Sequence, residues 1–113
     1  MRWIQIDLGE AQNIQAIAMW RDHSAESIYH DVIIQISSDP TFHAGLVTVF
    51  NNDHDNSAGF GIGKDKNYLE TSEGKLIDAG GIRTRYIRLC SNGNDVDEFN
   101  RYIEVEVYGK AVK

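Results

Sequence analysis

Apolar residues recur at every second position in short runs along this chain. Near the end, Ile103, Val105 and Val107 alternate with Glu104, Glu106 and Tyr108, and near the start Ile4, Ile6 and Leu8 alternate with Gln5 and Asp7. A period of two sends successive side chains to opposite faces, so each run lays one face on a core and the other toward water. The pattern predicts strands over roughly 3–8, 14–20, 31–37, 46–50, 75–78, 85–90 and 102–108. Turn-forming clusters separate them: Gly9-Glu10, Ser38-Asp39-Pro40, Gly80-Gly81 and Ser91-Asn92-Gly93-Asn94. No segment sustains the three-four rhythm of a long helix. Many short strands with turns between them predict an all-β antiparallel sandwich of the jelly-roll kind. The stretch 51–74 is the long irregular connection, and connections of that length commonly carry function.

If consecutive strands alternate in direction, 21–30, 51–74 and 91–101 lie at one end of the sandwich. The opposite end then receives 38–45 and 79–84. The first three segments are rich in His, Arg, Asn and Asp. Sugar hydroxyls accept from Arg and His and donate to Asp and Asn oxygens, while a sugar's apolar face stacks on an aromatic ring. The candidate glycan contacts are Arg21, His23, His54, Asn92, Asn94 and Arg101, with Trp20 or Tyr29 as the ring. Trp3 is expected in the core, and Phe60 and Tyr68 are expected to anchor the long loop.

Length and composition narrow the picture. A chain of 113 residues makes one domain, 1–113, with 42% hydrophobic and 25% charged residues. A formal charge of -6 argues against nucleic acid and anionic membrane surfaces as partners. Cys90 stands alone, which rules out an intrachain disulfide and a thiolate metal cluster. No apolar run approaches the roughly 20 residues of a membrane span. No signal peptide is visible, since Met1 leads straight into a strand, as expected also for a domain excised from a longer precursor. Enzymatic readings are weaker than a binding role. Asp53, Asp55, Glu70 and Glu73 read as acidic loop residues before they read as a glycosidase pair. Ser24, His54 and Asp95 lack a nucleophile-elbow sequence. Gly59 to Lys64 lacks the Ser or Thr and the helix of a phosphate loop. Asp53 and Asp55 alternate as in a calcium loop, but the EF-hand register fails at its sixth and twelfth positions, and His23, His30 and His54 match no zinc spacing.

Five stretches carry a family resemblance: Trp3-Ile-Gln-Ile-Asp-Leu-Gly9, Ile14 through Trp20-Arg21, Tyr29 through Ser37, Arg85-Tyr-Ile-Arg-Leu89, and Glu104-Val-Glu-Val-Tyr-Gly109. Together they resemble the discoidin, or coagulation-factor type C, superfamily of galactose-binding-domain-like modules. Within it the chain is most similar to bacterial family-32-like carbohydrate-binding modules. The resemblance implies a jelly-roll β-sandwich without catalysis that binds a neutral, galactose-type glycan through loops at one end. It also implies an extracellular or cell-surface setting, fused to or derived from a larger carbohydrate-active enzyme. Family members usually have a further N-terminal segment whose Asp-Gly turn helps bind a structural calcium. Here the sequence starts almost at the strand, so Glu104 matches the family's calcium-coordinating Glu without its upstream partners. That departure counts against calcium there, and it leaves a sheet edge for a preceding domain or a homodimer to cover. A protein-interaction or adhesion domain, or a structural spacer, stays open as an alternative to glycan binding.

Overall fold

The computed structural model describes residues 2–21, 30–56, 59–66, 74–91 and 102–111. Among the described residues there are five strands and no helix: β1 (Arg2–Arg21), β2 (Ile33–Ser37), β3 (Val47–Asn51), β4 (Lys75–Ser91) and β5 (Tyr102–Ala111). All pairings are antiparallel, in the order β3-β2-β4-β1-β5. The predicted strands 3–8 and 14–20 are the two halves of β1, and 75–78 and 85–90 are the two halves of β4.

Both long strands bend where the turn residues sit. A straight strand of 20 residues would run about 66 Å, yet the longest dimension of the molecule is 44 Å. The pairing of β1 with β4 shifts between Asp7 and Gln12 and again between Ile14 and Ala16. The same local device serves both bends. Asp7 Oδ1 accepts the Gly9 N–H and Asp78 Oδ1 accepts the Gly80 N–H, each at 2.8 Å. The glycines beyond those carboxylates have φ of 85° at Gly9, 70° at Gly80 and 77° at Gly81, a region closed to most side chains.

Bending brings the two halves face to face as a sandwich. Ile14, Ile17, Met19 and Ile77 from one half share a core with Ile34, Ile36, Ile87 and Leu89 from the other. Fully burying each of these side chains contributes about 1.5–3 kcal/mol. Val105 and Val107 pack on that core while Glu104 and Tyr108 stay exposed, as the period-two pattern predicts. β2 departs from alternation, since it lies between β3 and β4 and is buried on both faces. Its polar members are satisfied locally. Gln35 Nε2 donates to Thr48 Oγ1 at 3.4 Å, and the Ser37 hydroxyl donates to Ala44 O at 2.6 Å.

Trp3 corrects the expectation of a core residue. It is 50% exposed and its ring covers the Arg88 guanidinium, whose carbon lies 3.9 Å from the ring centroid. Phe42 stacks on the same cation at 4.2 Å. The reason is parity: Trp3 shares the outward face of β1 with Gln5 and Asp7, and Arg88 gives that ring a cation to cover.

The packing also fixes one end of the molecule. Trp20 lies against Gly74, at whose Cα a side chain would meet the indole within 2.5–2.8 Å. Lys75 Nζ lies 5.4 Å from the centroid of the Phe50 ring. Ile33 pairs with Asn51 and Cys90, and Arg21 pairs with Tyr102. The end of β1, the start of β2, the end of β3 and both flanks of β4 therefore share that end. The strand ends that flank 21–30, 51–74 and 91–101 thus lie together, while 22–29, 67–73 and 92–101 are outside the described residues.

Candidate functional site

The described residues 51–56 and 59–65 are braced by their own hydrogen bonds. Asn51 N–H donates to Asp65 Oδ2 at 2.8 Å and Asp65 N–H returns to Asn51 O at 3.0 Å. Gly63 N–H donates to Asp53 O at 2.8 Å. The Asn51 side chain accepts from Asp53 N–H at 2.8 Å and donates to Gly61 O at 3.3 Å. His54 Nε2–H donates to Asp65 O at 2.6 Å. A carbonyl only accepts, so Nε2 carries a proton in this bond.

This loop forms one wall of a recess at the end just described. His30, Asp31, Asn52, His54 and Asp55 line a volume of about 240 Å³. One backbone and one side-chain hydrogen bond join the two walls. Asn52 N–H donates to Val32 O at 3.0 Å, and Asn52 Oδ1 accepts the Val32 N–H at 2.7 Å. That second bond fixes the orientation of the amide. Asn52 Nδ2 is then a buried donor without a hydrogen-bond partner among the described residues. Asp31, Asp53 and Asp55 gather beside it, with one carboxylate oxygen from each lying within 4.8 Å of the others. Asp53 is fully buried, Asp31 half-buried and Asp55 exposed. Carboxylates this close repel unless donors or cations lie between them. The recess therefore offers acidic acceptors and two imidazoles within one small volume, with the Asn52 amide buried in its wall.

Of the residues singled out from sequence, His54 lines this recess and Trp20 is half-buried under Gly74. Arg21 closes β1 in the backbone at the same end. His23, Tyr29, Asn92, Asn94 and Arg101 lie outside the described residues. Phe60, expected to anchor the loop, is 41% exposed. Asn52 and Asp31 were not singled out. The run Asn51-Asn52-Asp53-His54-Asp55 is visible in the sequence, but its approach to Asp31 is made by the Asn52–Val32 hydrogen bonds, which no spacing announces.

Calcium at Glu104 can be weighed on the residues present. Glu104 is exposed on β5, opposite Trp20 in register. Among the described residues it joins no group of three carboxylate, imidazole or thiol ligands.

No protein-family model matches the sequence, and neither does any curated protein. Among the described residues, no helix is long and apolar enough to cross a membrane. Solved structures do match in fold. A family 89 glycoside hydrolase from Clostridium perfringens, in complex with 2-acetamido-1,2-dideoxynojirmycin, aligns at a TM-score of 0.72 and 20% identity, covering 96% of this chain and 10% of the hydrolase. The same figures hold for that enzyme in complex with its substrate GlcNAc-α-1,4-galactose. Truncated AlyQ, with CBM32 and alginate lyase domains, aligns at a TM-score of 0.59 and 24% identity, covering 97% of this chain and 24% of that one. The chain is thus an antiparallel β-sandwich whose fold is similar to a small part of larger carbohydrate-active enzyme chains.

Proposed function

We propose that this chain is a non-catalytic module that binds a neutral, galactose-type glycan at the end where 21–30, 51–74 and 91–101 emerge. The observation that carries the reading is the recess of His30, Asp31, Asn52, His54 and Asp55. Its mixture of acceptors and a buried amide donor suits vicinal hydroxyls, each of which both donates and accepts. Phe60, exposed on the same loop, offers a ring for the apolar face of a sugar. Arg21, His23, Tyr29, Asn92, Asn94 and Arg101 are proposed as further contacts, with Trp20 supporting the floor. The small share of each similar enzyme chain that aligns, 10% and 24%, supports a binding module carried beside a catalytic domain. An extracellular or cell-surface setting belongs to the same proposal. A glycan array probed with the full chain, followed by calorimetry on the sugars captured, tests it. His30→Ala and His23→Ala should each weaken binding by about 1–3 kcal/mol, the cost of a lost polar contact. Capture of no neutral glycan refutes the binding role, and release of reducing sugar by the purified chain refutes the non-catalytic one.

A protein-interaction role has one observation in its favour. The first half of β1 pairs with β4 on one side, and among the described residues nothing pairs with its other edge. Trp3 and Ile4 are exposed on that half, and open edges invite strand addition.

A further inference from the structure

We infer that Asp31, Asp53 and Asp55 hold a divalent, oxygen-preferring cation of the calcium class, with Asn52 donating to an oxygen bound to that cation. This is a different place from Glu104: it joins the residues preceding β2 to the loop that follows β3. Two independent observations carry it. The first is the spacing of the three carboxylates. Oxygens bound to one ion can be no farther apart than twice the metal–oxygen distance, about 4.6–5.2 Å for calcium and about 4.0–4.2 Å for magnesium. One oxygen from each of the three carboxylates lies within 4.8 Å of the others, close enough for one ion of this class to reach all three. All-oxygen ligation also favours hard cations over zinc or copper.

The second observation is the Asn52 side chain. It is 3% exposed and lines the recess together with Asp31 and Asp55. Its Oδ1 is taken by the Val32 N–H at 2.7 Å, while its Nδ2 has no partner among the described residues. A buried donor of this kind is costly unless it meets an oxygen. A water or hydroxyl on the cation supplies one: it gives one lone pair to the metal and the other to Asn52, and it donates its hydrogen to a carboxylate. Calcium takes six to eight oxygens, so three carboxylates leave several positions for such ligands. Hydrogen bonds at Asn51, Asp53 and His54 hold this segment in place before any ion arrives, which keeps the ordering cost of binding low. The cation would share Asp31, Asn52 and Asp55 with the proposed glycan recess, and titration with calcium in the absence of sugar tests the cation alone.

The test is calorimetric titration of the full chain with calcium chloride after removal of bound metal by a chelator. Expected is a saturable one-site isotherm with Kd in the range of about 10⁻⁵–10⁻³ M, as in sensor and extracellular calcium sites. Asp55→Asn and Asp31→Asn should each weaken it at least tenfold while leaving the circular dichroism of the sheet unchanged. Asp55 is exposed, so its variant keeps the test open if Asp31→Asn does not fold. No binding up to about 10 mM calcium, ten times the weak end of extracellular sites, overturns the inference. So does binding that Asp55→Asn leaves unchanged, which would report diffuse attraction to an acidic surface.

Discussion

Replacing Gly63 with alanine probes the geometry that holds the recess together. Gly63 donates its N–H to Asp53 O at 2.8 Å and is buried against Asn51. A Cβ at this position would lie 2.4 Å from Asn51 O, 2.4 Å from Asn51 Oδ1 and 2.7 Å from Asn51 C. Two of these atoms are backbone. The third accepts the Asp53 N–H, so it cannot swing away without a loss. An ordinary Cβ contact is 3.4–4 Å, so the strands of the loop must part by about an ångström. Overpacking of this kind costs about 1–3 kcal/mol, and losing one buried hydrogen bond adds roughly 1 kcal/mol. The sum is about 2–4 kcal/mol. For a domain near 100 residues each kcal/mol lowers the melting temperature by about 4 °C or more, so a drop of roughly 8–16 °C is expected. Gly59→Ala is the control. Gly59 has φ of 82° but nothing within 4 Å of its Cβ position, so only backbone strain of about 1–2 kcal/mol applies. Scanning calorimetry on both variants decides the matter, with circular dichroism at low temperature confirming the native sheet. If Gly63→Ala melts like the parent, or above Gly59→Ala, the close approach of 63 to 51 is wrong.

Other expectations follow from the same contacts. Arg88→Leu removes the cation stacked between Trp3 and Phe42 and its 2.8 Å bond to Gln5 Oε1; a loss of about 1–2 kcal/mol is expected, with a red shift of tryptophan emission, and an unchanged spectrum rejects the stack. The Asp39 carboxyl is held below its ordinary value first by the N–H of Thr41, then by its hydroxyl and by the N–H groups of His43 and Ala44. Its depressed folded pKa adds stability above the unfolded value of about 3.9, which is lost as pH falls through the folded value. Asp39→Ala should therefore melt below the parent at pH 7, with the two curves converging near the acid limit; a constant gap argues against the turn. Cys90 is fully buried, so a thiol reagent should titrate it only after denaturant is added, and rapid labelling of the native protein refutes its burial. If the open edge of β1 pairs with a second copy, light scattering should give twice the 12.7 kDa of one chain; a monomer mass at all concentrations rejects that pairing.

The period-two runs were enough to predict strands at both ends of the chain and an all-β sandwich, because local alternation specifies which face is buried whatever the partner strand. The turn clusters were legible for the same reason: an Asp two residues before a Gly bends the chain by itself. That each cluster bends one continuous strand, so that seven predicted strands become five, was decided by pairing. Strand counting placed 21–30, 51–74 and 91–101 at one end; of its marker residues His54 lines the recess, while His23 and Asn92 lie outside the described residues. The sequence could not reveal the burial of both faces of β2, because its polar members Gln35 and Ser37 look solvent-facing until β3, β4 and the turn after β2 close over them. Nor could it show Trp3 lying across Arg88, a contact between residues 85 positions apart that only the β1–β4 register creates. The grouping of Asp31 with Asp53 and Asp55 belongs to tertiary structure for the same physical reason. Spacing along a chain says nothing about two segments until hydrogen bonds such as those of Asn52 with Val32 fix one against the other.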